Sequence, residues 1–399
     1  MAFFPIKNNP LFADSLVVHQ RNFHYLFALR CTLGVLIPLV LVLVCGFEEY
    51  AGSVAYGALV TGMASKRGIY TSKIATMLAI AFTVALATTI GALTGGQVYW
   101  EIGIFAIFGM LTGLMSALGK VPDYIGMHIL VALAVFSFHP MSFDGALISG
   151  GFALSASLFQ LVLCLFSLMF IGAADVNSMP ADEDADLTPY IGDYSFQGQH
   201  FGAALKGKWN LLRHGIFFRP LIRAPKYMWS AVIGALPILR ENLTLSSPYA
   251  QHGIRMVCAM IFSICASSYW HFPYYYWMVL TVAYILKPSA NITYSRAIAR
   301  ILGTLAGATI ATLVLGSSPN IMLIFGICIV FSALAYLLSE VNYAVAITMI
   351  SVFVLGVMAF SDLNSPPPYG YRILSTVLGC LIAISAYILW PIKKRESRD

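Results

Sequence analysis

Apolar stretches near 20 residues recur along this chain from Phe27 to Pro391, and about 20 helical residues is the length that crosses a hydrocarbon core. Strands that alternate apolar with polar residues are absent, so the stretches read as helices and not as a barrel, since lipid leaves no other way to satisfy the backbone. Composition agrees. The 399 residues are 59% hydrophobic and 10% charged with a mean hydropathy of +0.81, whereas soluble domains carry about 25% charge. The sequence therefore predicts an all-α polytopic membrane protein. Candidate spans run over 27–46, 51–65, 74–96, 98–119, 123–140, 145–173, 253–270, 274–287, 297–316, 320–338, 341–361 and 371–391.

Charge then orients these twelve segments. With alternating spans, Lys7, Arg21, Lys66, Arg67, Lys73, Lys120, the cluster from Lys206 to Arg240, Lys287, Arg296 and Lys393 to Arg398 share one side. By the positive-inside rule that side is cytoplasmic, with both termini inside an inner membrane. Glu48, Glu49, Glu101, Asp144 and Asp362 take the other side, where Arg372 is the basic exception. The expected organisation is a cytoplasmic segment 1–26, a membrane unit 27–176, a cytoplasmic linker 177–250, a second membrane unit 251–391 and a basic tail 392–399. No small-residue exit follows the first apolar run, so a cleaved signal peptide is not expected. The seven cysteines lie singly in apolar segments without metal-ligand spacing and read as packing residues. In the linker, Trp209, Phe217 and Phe218 with Lys206, Lys208, Arg213 and Arg219 suit amphipathic helices on anionic lipid. The short apolar run Met228 to Leu239, with Pro237, is expected to stay interfacial.

The two membrane units share residues as well as layout. HYLFALRCTLGVLI (24–37) is echoed by QHGIRMVCAMIF (251–262), and GKVPDY (119–124) by SEVNY (339–343). Inside the second unit RILGTLAG (300–307) returns as RILSTVLG (372–379) three spans later, hence inverted. This predicts two parallel six-helix repeats, each divisible into 3+3 inverted repeats, the kind of pseudo-symmetry that lets a transporter alternate between two openings.

An arginine in a membrane segment costs about 2.5–3.5 kcal/mol on insertion scales, so it faces a cavity or a partner. Arg30, Arg255, Arg300 and Arg372 are such residues, and a planar guanidinium offers two parallel hydrogen bonds to a carboxylate. The alternative for the first three is anchoring at the inner face. The second and eighth segments are the shortest, one punctuated by Gly52, Gly57 and Gly62, the other bracketed by Pro273 and Pro288. Broken segments at matching positions point to a substrate site beside them. Tyr274, Tyr275, Tyr276 and Trp277 offer rings for stacking or form an interfacial belt. Thr304 and Gly307, one turn apart, suit ligand contact or close helix approach. Asp123 and His128 are candidates for proton coupling, although five residues apart they do not share a helix face. His139 and His271 read as residues near the outer face.

The segment YWMVLTVAYILKPSANITYSRAIARILGTLAG (276–307) resembles the signature of the fusaric acid resistance, or aromatic acid exporter, family. ENLTLSSPYAQHGIRM (241–256) and the pair Asn342–Tyr343 extend that resemblance, with Gln251 where the family often has arginine. Plant aluminium-activated malate transporters are similar at a greater distance. The resemblance implies a proton-driven exporter of aromatic or other organic acids, with small organic anions and membrane lipids as partners; a homo-oligomer and a periplasmic adaptor are compatible with it. A passive organic-anion channel and a membrane scaffold are the other readings. Paired carboxylates, metal-ligand clusters, nucleotide loops and nucleophile elbows are missing from the sequence, so neither an enzyme, a cofactor nor a nucleic-acid partner is expected.

Overall fold

The computed structural model describes residues 24–66, 73–170, 219–316, 320–339, 341–361 and 368–391. Among them are thirteen α-helices and no strand. The first unit holds α1 (Tyr25–Val44), α2 (Ala51–Ala64), α3 (Lys73–Thr94), α4 (Val98–Met115), α5 (Lys120–Ser137) and α6 (Phe143–Phe170). After the linker helix α7 (Arg219–Glu241) come α8 (Pro248–Tyr269), α9 (Tyr276–Ile285), α10 (Ala290–Leu315), α11 (Ile321–Leu338), α12 (Tyr343–Ser361) and α13 (Tyr369–Leu389).

Each of the twelve expected spans coincides with one of these helices, α7 being the additional one. Nine helices among the described residues are long and apolar enough to cross a membrane. The other three expected spans fall outside that group for two reasons. α2 and α9 have 14 and 10 residues, while α8 is interrupted by Gln251, His252, Arg255 and several serines. The protein is thus a multi-pass, all-α membrane protein.

Helix contacts recur in both units. α3 packs on α5 and α6, as α10 packs on α12 and α13; α2 packs on α6 as α9 does on α13. Between the units, α1 lies against α11 and α8 against α4, while α2 meets α12 and α9 meets α5. Lipid supplies no hydrophobic drive between helices, so close backbone approach carries these contacts. A Cβ at Gly303 would come 2.5 Å from the Ala344 carbonyl oxygen of α12, and one at Gly379 2.8 Å from the Met278 carbonyl oxygen of α9. Gly52, Gly57 and Gly62 lie in a continuous helix, so these three glycines do not unwind the second segment as the sequence suggested.

The run expected at 228–239 extends to a helix of 23 residues that keeps Pro225 and Pro237 inside it. This helix packs on α3 through Leu221, Ala224, Tyr227 and Met228 and exposes Ile222, Trp229, Ile233 and Leu236. The N-terminal segment 1–23, most of the linker and the basic tail lie outside the described residues, with Lys206, Lys208, Trp209, Arg213, Phe217 and Phe218. Cys31, Cys164, Cys328 and Cys380 are buried as expected of packing residues, whereas Cys45, Cys258 and Cys265 are exposed on the bundle surface.

Candidate functional site

The shortest helix organises the second unit. Pro288 lies three residues beyond α9 and drives the residue before it, Lys287, out of the α-region; the chain has already left the helix at Leu286, at φ −66° and ψ 118°. At the other end Pro273 lies between two non-glycine residues in the left-handed region, His271 at φ 49° and Tyr274 at φ 59°. Between these breaks, every α9 residue except the half-buried Tyr284 is buried. The unwound backbone at Lys287 is already occupied. Its N–H donates to Thr293 Oγ1 at 3.1 Å, and its carbonyl accepts from Arg255 at 3.0 Å.

Arg255 and Arg30 do the same work in the two units. Arg255 donates to the carbonyl oxygens of Lys287 and Trp390, 3.0 and 3.2 Å away, and lies 4.3 Å over the Tyr387 ring. It ties the ends of α9 and α13, where a cation also meets the negative ends of two helix dipoles. Arg30 donates to Ser65 Oγ after α2 and to Ser167 Oγ in α6, both at 2.9 Å. It ties the corresponding ends of the first unit.

Arg300 of α10 and Arg372 of α13 differ. Both are buried, 3% and 4% exposed, yet neither guanidinium makes a hydrogen bond or ion pair among the described residues, and both Nε atoms are unpartnered. Each lies instead on an aromatic face of α9: Arg372 is 5.0 Å from the Trp277 centroid and Arg300 is 4.7 Å from that of Tyr284. Seven residues apart, Trp277 and Tyr284 share one face, about 10 Å along the axis. The two guanidinium groups are near enough to repel each other electrostatically. Cation–π contact contributes about 0.5–2 kcal/mol per pair, less than the insertion cost of a charged side chain in lipid. A pair of buried cations is therefore left under-compensated.

Unpartnered hydroxyls line the same two helices. Thr304 Oγ1, one turn beyond Arg300, and Ser375 Oγ, three residues beyond Arg372, are buried without a hydrogen bond. Thr293 meets Lys287 and Arg300 meets Tyr284, so α9 and α10 run antiparallel; Trp277 meets Arg372 and Thr281 lies by Gly379, so α9 and α13 run parallel. α10 and α13 are then antiparallel, and their contact at Ala297 and Cys380 sets the register. At 1.5 Å per residue, Thr304 and Arg372 sit at nearly the same height. Gly307 serves close approach: a Cβ there would meet the Thr348 carbonyl oxygen and Ser351 Cβ of α12 at 2.7 Å.

Tyr276 and Trp277 are core rings and not an interfacial belt. Tyr276 packs 4.7 Å from Phe138 and its hydroxyl lies 3.8 Å from Met358 Sδ, while Trp277 stacks on Tyr274 at 5.1 Å on a pair of nearly parallel rings. Asp123 and His128 are not brought together. Asp123 pairs with Lys287 at 2.7 Å, and His128 Nδ1 lies 3.0 Å from the Tyr56 hydroxyl. His128 also faces Tyr284 at 5.9 Å, so one shared ring separates it from Arg300. Tyr284 and Tyr56, which link these groups, were not singled out from the sequence. Tyr284 lies eight residues after Tyr276 in the signature segment, a spacing near two helical turns that offered the available clue. His139, between α5 and α6, meets Phe138 edge to face at 5.1 Å, and burial pushes its pKa down. Asp362, which the sequence puts on the same side as Arg372, lies outside the described residues.

The segment carrying Trp277, Tyr284, Arg300 and Arg372 is also the segment that similarity selects. Residues 257–386 match the family described as fusaric acid resistance protein-like. This part of the chain is similar to that family. A Synechocystis protein named uncharacterized protein slr1298 is 30% identical over 148 residues, 37% of this chain and 20% of that protein. Inner membrane protein YccS of Escherichia coli is 28% identical over 155 residues, 38% of this chain and 21% of YccS. Uncharacterized protein ORF2 of Neisseria gonorrhoeae is 25% identical over 167 residues, 42% of this chain and 38% of that protein. The matched part of the chain thus spans between about a fifth and two fifths of these relatives. No solved structure matches the chain.

Proposed function

We propose that the protein exports aromatic or other organic carboxylic acids across an inner membrane in exchange for protons. The observation that carries this reading is the pair Arg300 and Arg372, two buried cations without an anionic partner among the described residues. A carboxylate is the ligand whose geometry fits a guanidinium with two parallel hydrogen bonds. The buried hydroxyls of Thr304 and Ser375 add donors at the same depth, and Trp277 and Tyr284 present the apolar surface an aromatic ring needs.

The similarity of the segment 257–386 to that family and the recurrence of helix contacts in two units support transport. The two-unit arrangement is read here as a pair of six-helix repeats with cytoplasmic termini, which puts the connections bearing Lys66, Lys120 and Lys287 inside and those beside Glu48, Glu101 and Asp144 outside. His128 is the coupling group in this reading, because histidine titrates near neutral pH and Tyr284 joins it to Arg300. Asp123, held by Lys287, acts in closing the inner end.

Reconstitution in liposomes tests this directly. Radiolabelled hydroxybenzoate should accumulate only under an imposed pH gradient, and Arg300→Ala or Arg372→Ala should abolish the accumulation. Flux that ignores the gradient would replace the exporter with an organic-anion channel. Equal hydroxybenzoate accumulation by cells lacking and overproducing the protein would end the export reading.

A further inference from the structure

A second buried ionisable group stands apart from the arginine pair. Glu101, in the first turn of α4, is 2% exposed. Its Oε1 accepts from the Gly96 backbone N–H at 3.1 Å and from the Tyr275 hydroxyl at 2.7 Å. No basic side chain among the described residues pairs with it. The positive end of α4 and two donors therefore carry the whole stabilisation of its charge.

The Tyr275 bond crosses between the units, from the start of α4 to the residue immediately before α9. It lands next to the His271–Tyr274 stretch, which holds the two non-glycine residues in the left-handed region among the described residues. From there contact leads to the arginines. Tyr274 stacks on Trp277, and Trp277 carries Arg372 on its face. The side chains around this corner leave few alternatives for a titrating group. Tyr275 is the titratable partner of Glu101; α8 and its following turn carry Cys265, Tyr269 and His271, α4 carries Tyr99, the α5–α6 connection carries His139, and α6 begins beside Asp144. None of these is bonded to Glu101.

We infer that Glu101 is a proton-operated latch on the outer end of α9: charged, it holds Tyr275 and keeps the aromatic stack closed over Arg372; protonated from outside, it lets that end open. A carboxylate accepts the hydrogen bond from the tyrosine hydroxyl far more strongly than a neutral carboxyl does, so protonation loosens the tie to Tyr275. The proton comes from the outer aqueous phase and returns to it on closing, so no other reactant is needed. The inference rests on the transporter reading for its purpose and on the Glu101–Tyr275 bond for its mechanism.

The test needs no substrate. Ser137 is buried within hydrogen-bonding reach of Tyr275, so a Ser137→Cys probe, with the exposed Cys45, Cys258 and Cys265 changed to serine, reports opening through labelling by an impermeant maleimide. In proteoliposomes of the full chain, labelling should quicken several-fold as the medium is taken from neutral to mildly acidic. Adding Glu101→Gln should make it fast at both pH values, as should Tyr275→Phe. Infrared difference spectra over the same pH change should show a carboxyl stretch that disappears in Glu101→Gln. Labelling that is independent of pH, or a spectrum unchanged by Glu101→Gln, overturns the latch. Either result stands whether or not hydroxybenzoate is carried, so failure of the latch and failure of the export reading are told apart.

Discussion

The two membrane units share one use of buried cations, and the second adds another. In the first, Arg30 spends its donors on Ser65 and Ser167, and Lys66 reaches across to Ser339 Oγ at 3.2 Å. In the second, Arg255 and Lys287 repeat those parts: Arg255 ties two helix ends and Lys287 reaches across to Asp123. The second unit then adds Arg300 and Arg372, and no arginine or lysine occurs in the first unit between Lys73 and Lys120 or from there to residue 170. A shared framework thus uses one arginine per unit as a staple, and the surplus pair in the second unit is what distinguishes it. A charge satisfied by its own protein has nothing left for a ligand; one resting on an aromatic face has.

Variants sharpen this contrast. The largest effect is expected from Arg300→Ala and Arg372→Ala, which should weaken hydroxybenzoate binding by about 100-fold if two charge-assisted hydrogen bonds of ~1.5 kcal/mol each are lost. Their denaturation midpoints in detergent should hold or rise, because a repelling buried charge is removed. Arg30→Ala should behave in reverse, lowering unfolding stability by about 2–4 kcal/mol through loss of charged hydrogen bonds and packing. If Arg30→Ala abolished binding with stability intact, the division between staple and site would collapse.

Next comes Gly303→Ala, whose Cβ meets the Ala344 carbonyl oxygen at 2.5 Å. It should destabilise by about 1–3 kcal/mol, read from thermal unfolding. Arg300→Lys keeps the charge and loses the planar fork, and about a tenfold weakening is expected in the same binding assay. Smallest is Lys287→Ala. Asp123 retains 24% side-chain exposure, so the pair is worth about 1 kcal/mol, and Asp123→Ala added to it should restore most of the loss. A double variant no better than the single one would show that Lys287 acts through something other than Asp123.

What the sequence by itself determined is the class of fold and the inventory of charge. Lipid forces backbone hydrogen bonds to close within each helix, so apolar length alone located all twelve helices to within several residues, and the scarcity of charge singled out Arg30, Arg255, Arg300 and Arg372. The brackets Pro273 and Pro288 likewise marked α9 as short, because proline limits a helix through local geometry. Tertiary structure alone divided the four arginines into two staples and two under-compensated cations. That division depends on which carbonyls and hydroxyls arrive from elsewhere in the chain, such as Trp390 to Arg255 and Ser167 to Arg30, over 135 and 137 residues. For the same reason sequence could not supply the partners of Asp123 and His128, which are Lys287 and Tyr56, nor join Glu101 to Tyr275 across 174 residues. Periodicity specifies a helix face, and only packing specifies what that face meets.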